Sequence, residues 1–142
     1  MARIIVVDDN DVSRGLMTYL LEARGHLVLS FEDGRSALAG VDRFRPDLVL
    51  CDLKMPGLDG YAVARTLSAP AARRGVALAA ITASDRPADE TAAHAAGFQA
   101  FLRKPIEHQA FTFAIEDLLA RTADERRAPT VALTGLKPRE PS

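Results

Sequence analysis

The chain has no tryptophan and one cysteine, Cys51, in 142 residues. A single thiol cannot close an internal disulfide, and a lone cysteine suits a reducing cytosol. Long apolar runs are also missing. The opening MARIIVVDDN puts only four consecutive apolar residues before two acids, too few for a signal-peptide core or a membrane span. Excess charge of one sign is missing as well: the formal net charge is −1. That argues against a nucleic-acid surface spread over the whole chain and leaves only a local basic patch open. These absences point to a cytoplasmic protein with no membrane attachment. At 142 residues it makes one domain, large enough to bury a core without metals or disulfides.

What is present is regular. Apolar residues make up 48% and charged residues 26% of the chain, the balance of a globular protein. Five apolar runs of strand length recur: IIVV at 4–7, LVLSF at 27–31, DLVLC at 47–51, VALAAI at 76–81 and FQAFL at 98–102. Several are nearly continuous, as in strands covered on both faces. Helical segments lie between them. The first spans about Asp9 to Arg24 and stops at Gly25, and the second starts behind Asp33 as N-cap. The fourth carries Pro87 in its first turn and Gly97 past its end. The fifth shows a stripe of Phe111, Ile115, Leu118 and Leu119. Such alternation predicts an α/β fold, a doubly wound parallel sheet with helices on both faces and right-handed crossovers. This domain covers residues 1–121. From 122 to 142 there are three prolines, mixed charge and no sustained period, which predicts a disordered C-terminal tail or linker.

In a parallel sheet of this kind, ligands bind beyond the carboxyl ends of the strands. Asp8 and Asp9 follow the first run, Asp52 the third, Thr82, Ala83 and Ser84 the fourth, and Lys104 and Pro105 the fifth. Three carboxylates brought together repel unless a cation joins them. Mg2+ suits a site with few protein oxygens and several waters. A lysine and a threonine hydroxyl opposite such a cluster would receive a phosphoryl group. An aspartate at its centre would carry that group as an acyl phosphate.

On the segments VVDDN, DLKMPGLDG, ITAS and FLRKP, in this order and spacing, the sequence resembles the bacterial response-regulator receiver domains, the CheY-like family, from about Arg3 to Arg121. The resemblance implies a single (βα)5 domain with strand order 2-1-3-4-5. It implies that Asp52 is the phospho-acceptor and that Asp9, Asp52 and the backbone carbonyl of Lys54 ligate Mg2+, with Asp8 acting largely through a bound water. Thr82 and the N–H of Ala83 would take phosphoryl oxygens. Lys104 would pair with the phosphoryl group, or with Asp52 before transfer, and the Lys104–Pro105 peptide would be cis. Phe101 matches the switch aromatic that turns inward when Thr82 moves. Lys54 and Ser84 occupy positions that tune dephosphorylation in this family. Partners would be a histidine kinase or histidine phosphotransfer protein, and a downstream protein bound through the face of the fourth helix, last strand and fifth helix. Direct DNA binding is not expected. The VVDDN opening and KPI ending are closer to stand-alone and hybrid-kinase receivers than to those of DNA-binding regulators.

Simpler readings exist for several of these residues. Asp9, Asn10 and Asp11 suit helix capping as well as chemistry, and Phe101 is first a core residue of the last strand. Cys51 faces away from Asp52 by strand alternation and reads as an inert buried thiol. His26, His94 and His108 show no metal-ligand spacing. Gly15 inside a helix costs roughly 1 kcal/mol against alanine. It either lets the helix pack closely on the sheet or, with Val12 and Tyr19, forms a kinase docking face. Docking is favoured, because Leu16, Met17, Leu20 and Leu21 already supply a core stripe.

Other functions of the same architecture fit less well. A flavin protein needs a phosphate-cradling loop after the first strand, where Asp8 and Asp9 would repel phosphate. An aspartate-nucleophile phosphatase places a second aspartate where Lys54 stands, so no activity on an external substrate is expected. The domain would catalyse only its own phosphotransfer and autodephosphorylation. A degenerate receiver, serving as a phosphorylation-independent scaffold, is the alternative that the sequence leaves open.

Overall fold

The computed structural model describes residues 1–69 and 75–124. Its elements run β1 (Arg3–Val7), α1 (Asp11–Ala23), β2 (Leu27–Phe31), α2 (Gly34–Phe44), β3 (Leu48–Asp52), α3 (Gly60–Ser68), β4 (Ala77–Thr82), α4 (Pro87–Ala96), β5 (Ala100–Arg103) and α5 (His108–Arg121). Five parallel strands form one sheet in the order β2-β1-β3-β4-β5, so the expected α/β architecture is present. Its registers pair Val7 with Cys51, Asp52 with Ile81, and Thr82 with Arg103. All the strands therefore end at one edge.

Strand alternation sends side chains to two separate cores. Ile4, Val6, Leu50 and Ile81 pack against Met17 and Leu21 of α1 and Ile115 and Leu118 of α5. Ile5, Val7, Val49 and Cys51 pack against Val41 of α2, Val63 of α3 and Ala93 of α4. Each fully buried aliphatic side chain of this kind stabilises the fold by roughly 1.5–3 kcal/mol. The Cys51 thiol is fully buried, and burial, helped by the nearby charges of Asp52 and Asp8, pushes its pKa far up. It is inert, as its place in the strand suggests.

Four local expectations are corrected. α1 starts at Asp11, with Asn10 as N-cap accepting from the Ser13 N–H at 2.8 Å. Leu16 is 40% exposed and does not belong to the core stripe, which narrows to Met17, Leu20 and Leu21. Continuous burial holds for β3 and β4, whereas β2 is an edge strand that leaves Leu27 46% and Leu29 38% exposed. The final strand begins at Ala100 rather than at residue 98. Gly97 ends α4 at φ 119°, and Phe98 folds back so that its N–H donates to Ala93 O at 3.0 Å and its ring enters the core. A Cβ on Gly97 would collide with Ser68 Oγ, so that turn needs glycine.

Thr122, one residue past the expected domain end, is buried and donates its N–H and hydroxyl to Leu118 O at 3.1 and 2.8 Å. The rest of the expected tail, from 125 onward, lies outside the described residues. Among the described residues no helix is long and apolar enough to cross a membrane.

Candidate functional site

Asp8 follows β1 and stays in the ladder, its N–H donating to Phe31 O at 3.1 Å. The side chain is fully buried. Its Oδ1 accepts from the Asn10 N–H at 2.9 Å, and its Oδ2 lies 3.0 Å from Lys104 Nζ. Because Asn10 caps α1 and Asp11 pairs with Arg14 at 2.6 Å, Asp9 is left out of the cap. Asp9 lies exposed at the mouth of the site.

Asp52 ends β3 and is 5% exposed. Its Oδ1 accepts from the Lys54 N–H and its Oδ2 from Lys104 Nζ, both at 3.1 Å. Burial raises its pKa and the neighbouring Asp8 charge adds to this. The bonds from Lys104 and the Lys54 N–H offset the rise only in part. Burial works against the Lys104 ammonium, but the carboxylates of Asp8 and Asp52 outweigh it and raise that pKa. Gly60, the first residue of α3, lies against the backbone of Asp52 and donates its N–H to Leu53 O at 3.1 Å. A Cβ there would overlap the Asp52 carbonyl and stand 2.8 Å from Leu53 Cα. The Asp52 backbone is thus clamped between its sheet partners and α3.

Asp8, Asp9 and Asp52 each offer a carboxylate oxygen, and the three atoms lie within 4.8 Å of one another. Two of these acids, Asp8 and Asp52, share one lysine. The donor set is entirely hard oxygen, which fits a small divalent cation such as Mg2+.

Thr82 ends β4, fully buried. Its Oγ1 accepts the Ser84 N–H at 3.1 Å, and its carbonyl accepts the Lys104 N–H at 2.8 Å. Ala83 follows, exposed. The Lys104–Pro105 peptide is cis. Phe101 is half-buried, with the Arg103 guanidinium 5.4 Å from its ring centre. Arg103 also donates to Ser84 O at 2.8 Å and lies 3.8 Å from Glu90.

Asp8, Asp9, Asp52, Thr82 and Lys104 therefore converge at the sheet edge, as their strand-end positions predict. Val12, Gly15 and Tyr19 lie elsewhere, on the outer face of α1. Val12 and Tyr19 are exposed, and a Cβ on Gly15 would meet nothing within 4 Å. Close packing of Gly15 on the sheet is thereby overturned.

Two arrangements were not legible beforehand. Asp89 in α4 accepts hydrogen bonds from Ser84 and Tyr61 and lies near Lys54. The only hint was an acid in a first helical turn. His26, given no role above, has Nε2 2.6 Å from Glu116 Oε2, and its Nδ1 accepts the Ala2 N–H at 3.0 Å. It ties the start of β1 to α5 at the far end of the sheet, a structural use.

Comparison with known proteins agrees with this geometry. A family model described as the response regulator receiver domain matches residues 4–116. Protein PilH of Pseudomonas aeruginosa is 33% identical over 120 residues, covering 84% of this chain and 99% of PilH. The response regulator PleD of Caulobacter vibrioides is 35% identical over 141 residues, covering 92% of this chain but only 31% of PleD. Among solved structures, the Vibrio cholerae chemotaxis protein CheY4 superimposes with a TM-score of 0.78, covering 84% of this chain and 99% of that one. At 24% identity, that likeness speaks to the fold alone. With five parallel strands in the order 2-1-3-4-5 and a family match over most of its length, the chain belongs to the response-regulator receiver domains.

Proposed function

We propose that this receiver is a phosphorylation-dependent switch of a two-component or phosphorelay system, with Asp52 as the residue that takes the phosphoryl group. The observation that carries this reading is the Lys104 ammonium held 3.0 Å from Asp8 and 3.1 Å from Asp52 beside three clustered carboxylates. In transfer, a carboxylate oxygen of Asp52 attacks the phosphorus of a phosphohistidine donor. The P–N bond breaks with its electron pair going to the imidazole, and an acyl phosphate forms on Asp52. Lys104 then moves its hydrogen bond from Asp52 Oδ2 to a phosphoryl oxygen, and the hydroxyl of Thr82 with the N–H of Ala83 takes others. Asp8, Asp9, Asp52 and the carbonyl of Lys54 would hold Mg2+, which when bound neutralises the charge gathering on the phosphoryl oxygens.

Hydrolysis returns the switch to rest: water attacks phosphorus, the P–O bond to Asp52 breaks, and the carboxylate is regenerated. In this reading the chain acts on no external substrate beyond its phosphoryl donor. Movement of Thr82 towards the phosphoryl group would let Phe101 turn inward and change the face of α4, β5 and α5, where a downstream protein would bind. A histidine kinase or phosphotransfer protein would dock on Val12, Gly15 and Tyr19. DNA binding by the domain itself is not part of the proposal, and the lone thiol supports a reducing, cytoplasmic setting.

Intact mass after incubation with Mg2+ and acetyl phosphate tests the reading, with Asp52→Asn and a metal-free sample as controls. Gain of one phosphoryl group, lost in both controls, is the expected result. No gain, repeated with a phosphorylated kinase or phosphotransfer protein, would leave the scaffold alternative standing instead.

A further inference from the structure

Two side chains beside the acceptor converge on one carboxylate outside the acidic cluster. Asp89 stands in the first turn of α4 and is 8% exposed. Its Oδ2 accepts a hydrogen bond from the Ser84 hydroxyl and lies 3.6 Å from Lys54 Nζ. Its Oδ1 accepts from the Tyr61 hydroxyl at 3.3 Å. Lys54 and Ser84 are themselves anchored to the site by their backbones. The Lys54 N–H donates to Asp52 Oδ1 and the Ser84 N–H to Thr82 Oγ1, each at 3.1 Å. Both residues therefore keep their main chain at the acceptor and turn their side chains to Asp89.

Part of this arrangement is helix capping. Arg86, the N-cap of α4, makes no side-chain cap bond, and its own N–H donates to Ser84 Oγ at 3.1 Å. An acid in the first turn also suits the helix dipole. Capping, however, asks nothing of Lys54 on the opposite loop. A serine hydroxyl has one hydrogen, and here it is committed to a carboxylate in a charge-assisted bond, so it is withheld from any water near Asp52. The Lys54–Asp89 pair is half in solvent on the lysine side and weak as a source of stability. Its effect is directional: the ammonium has an anion to face other than a phosphoryl group.

We infer that Asp89 is a positioning residue that holds the Ser84 hydroxyl and the Lys54 ammonium off the phosphoryl group and thereby lengthens its lifetime. The inference rests on the reading of Asp52 as acceptor. In hydrolysis the incoming water must be bound and oriented as its oxygen attacks phosphorus and the bond to Asp52 breaks. Released from Asp89, the Ser84 hydroxyl and the Lys54 ammonium become partners for that water.

The test is to phosphorylate the protein with acetyl phosphate and Mg2+, remove the donor, and follow loss of the phosphoryl mass. Wild type, Asp89→Ala and Asp89→Asn are compared, alone and in a Ser84→Ala/Lys54→Ala background. Asp89→Ala is expected to shorten the lifetime about threefold or more. Asp89→Asn keeps its size and an acceptor for Ser84 but not its charge towards Lys54, and shortens the lifetime less. In the background lacking both side chains, neither change alters the lifetime. Thermal unfolding of each variant reports in both backgrounds the loss of the Asp89 charge from the first turn of α4, which separates positioning from a change in helix stability. An unchanged or longer lifetime in Asp89→Ala, or equal shortening in the double background, overturns the inference alone. Failure of wild type to gain a phosphoryl group from acetyl phosphate or from a phosphohistidine donor overturns the acceptor reading and the inference with it.

Discussion

The Lys104 ammonium stands 3.1 Å from Asp52 Oδ2 although 52 positions separate the two residues in the chain. Even with this partner, burial holds the Asp52 pKa above its ordinary 3.8. A 13C titration of the Asp52 carboxyl without metal is therefore expected to give a midpoint above 3.8. In Lys104→Met the midpoint moves further up, because both the hydrogen bond and the positive charge that Lys104 offers the carboxylate are gone. A midpoint at or below 3.8 in wild type would contradict the dominance of burial.

The same shift fixes a sign for stability. A carboxyl whose folded pKa is raised stabilises the fold below its unfolded pKa, and that contribution is lost as pH rises through the folded value. At pH 7 without metal, wild type has lost it. Asp52→Asn, which removes the charge and leaves Lys104 to Asp8, is expected to match or exceed wild-type stability in urea. Added Mg2+ then raises the stability of wild type, by mass action on the folded state, more than that of Asp52→Asn. A metal-free Asn variant clearly weaker than wild type would refute this account.

Two glycines make a matched pair. Gly60→Ala drives a methyl into the Asp52 carbonyl and the Leu53 backbone, and overpacking of this kind costs about 1–3 kcal/mol. Phosphoryl uptake should slow with it, since Asp52 is displaced. Gly15→Ala places the same methyl in open space. It is expected to stabilise α1 by up to roughly 1 kcal/mol and to leave uptake from acetyl phosphate unchanged. Urea unfolding and uptake rates for both variants check the contrast, and similar behaviour of the two would refute it.

Leu50 lies two residues before Asp52, fully buried between the sheet and the α1–α5 layer. Leu50→Ala is expected to cost about 2–5 kcal/mol, read by denaturant unfolding. A loss below about 1 kcal/mol would mean that the surrounding core collapses into the space.

Much of the fold was legible because its signals are local. Apolar runs of strand length mark β1, β3 and β4, and Asp33, Pro87 and Gly97 mark helix ends by their own backbone preferences. Errors arose where a neighbour in space decided the outcome. The sequence of β2 is apolar, yet as an edge strand it has no neighbour beyond it to cover Leu27 and Leu29. Leu16 fits a helical stripe but falls just past the line where α1 meets the sheet. The strand-end residues of the candidate site could be placed from topology alone, since parallel strands bring them to one edge. Asp89 could not. Its partners Lys54, Tyr61 and Ser84 come from two other loops and a helix, and no spacing within the chain connects them.

Arg103 and Lys104 are adjacent on one backbone and face opposite ways. Lys104 reaches into the carboxylates, while Arg103 grips Phe101, the Ser84 carbonyl and Glu90 of α4. One short stretch of backbone thus carries both the cation that faces the acceptor carboxylate and the cation that binds the loop after β4 and the surface of α4, so the two ends of the site share a single anchor.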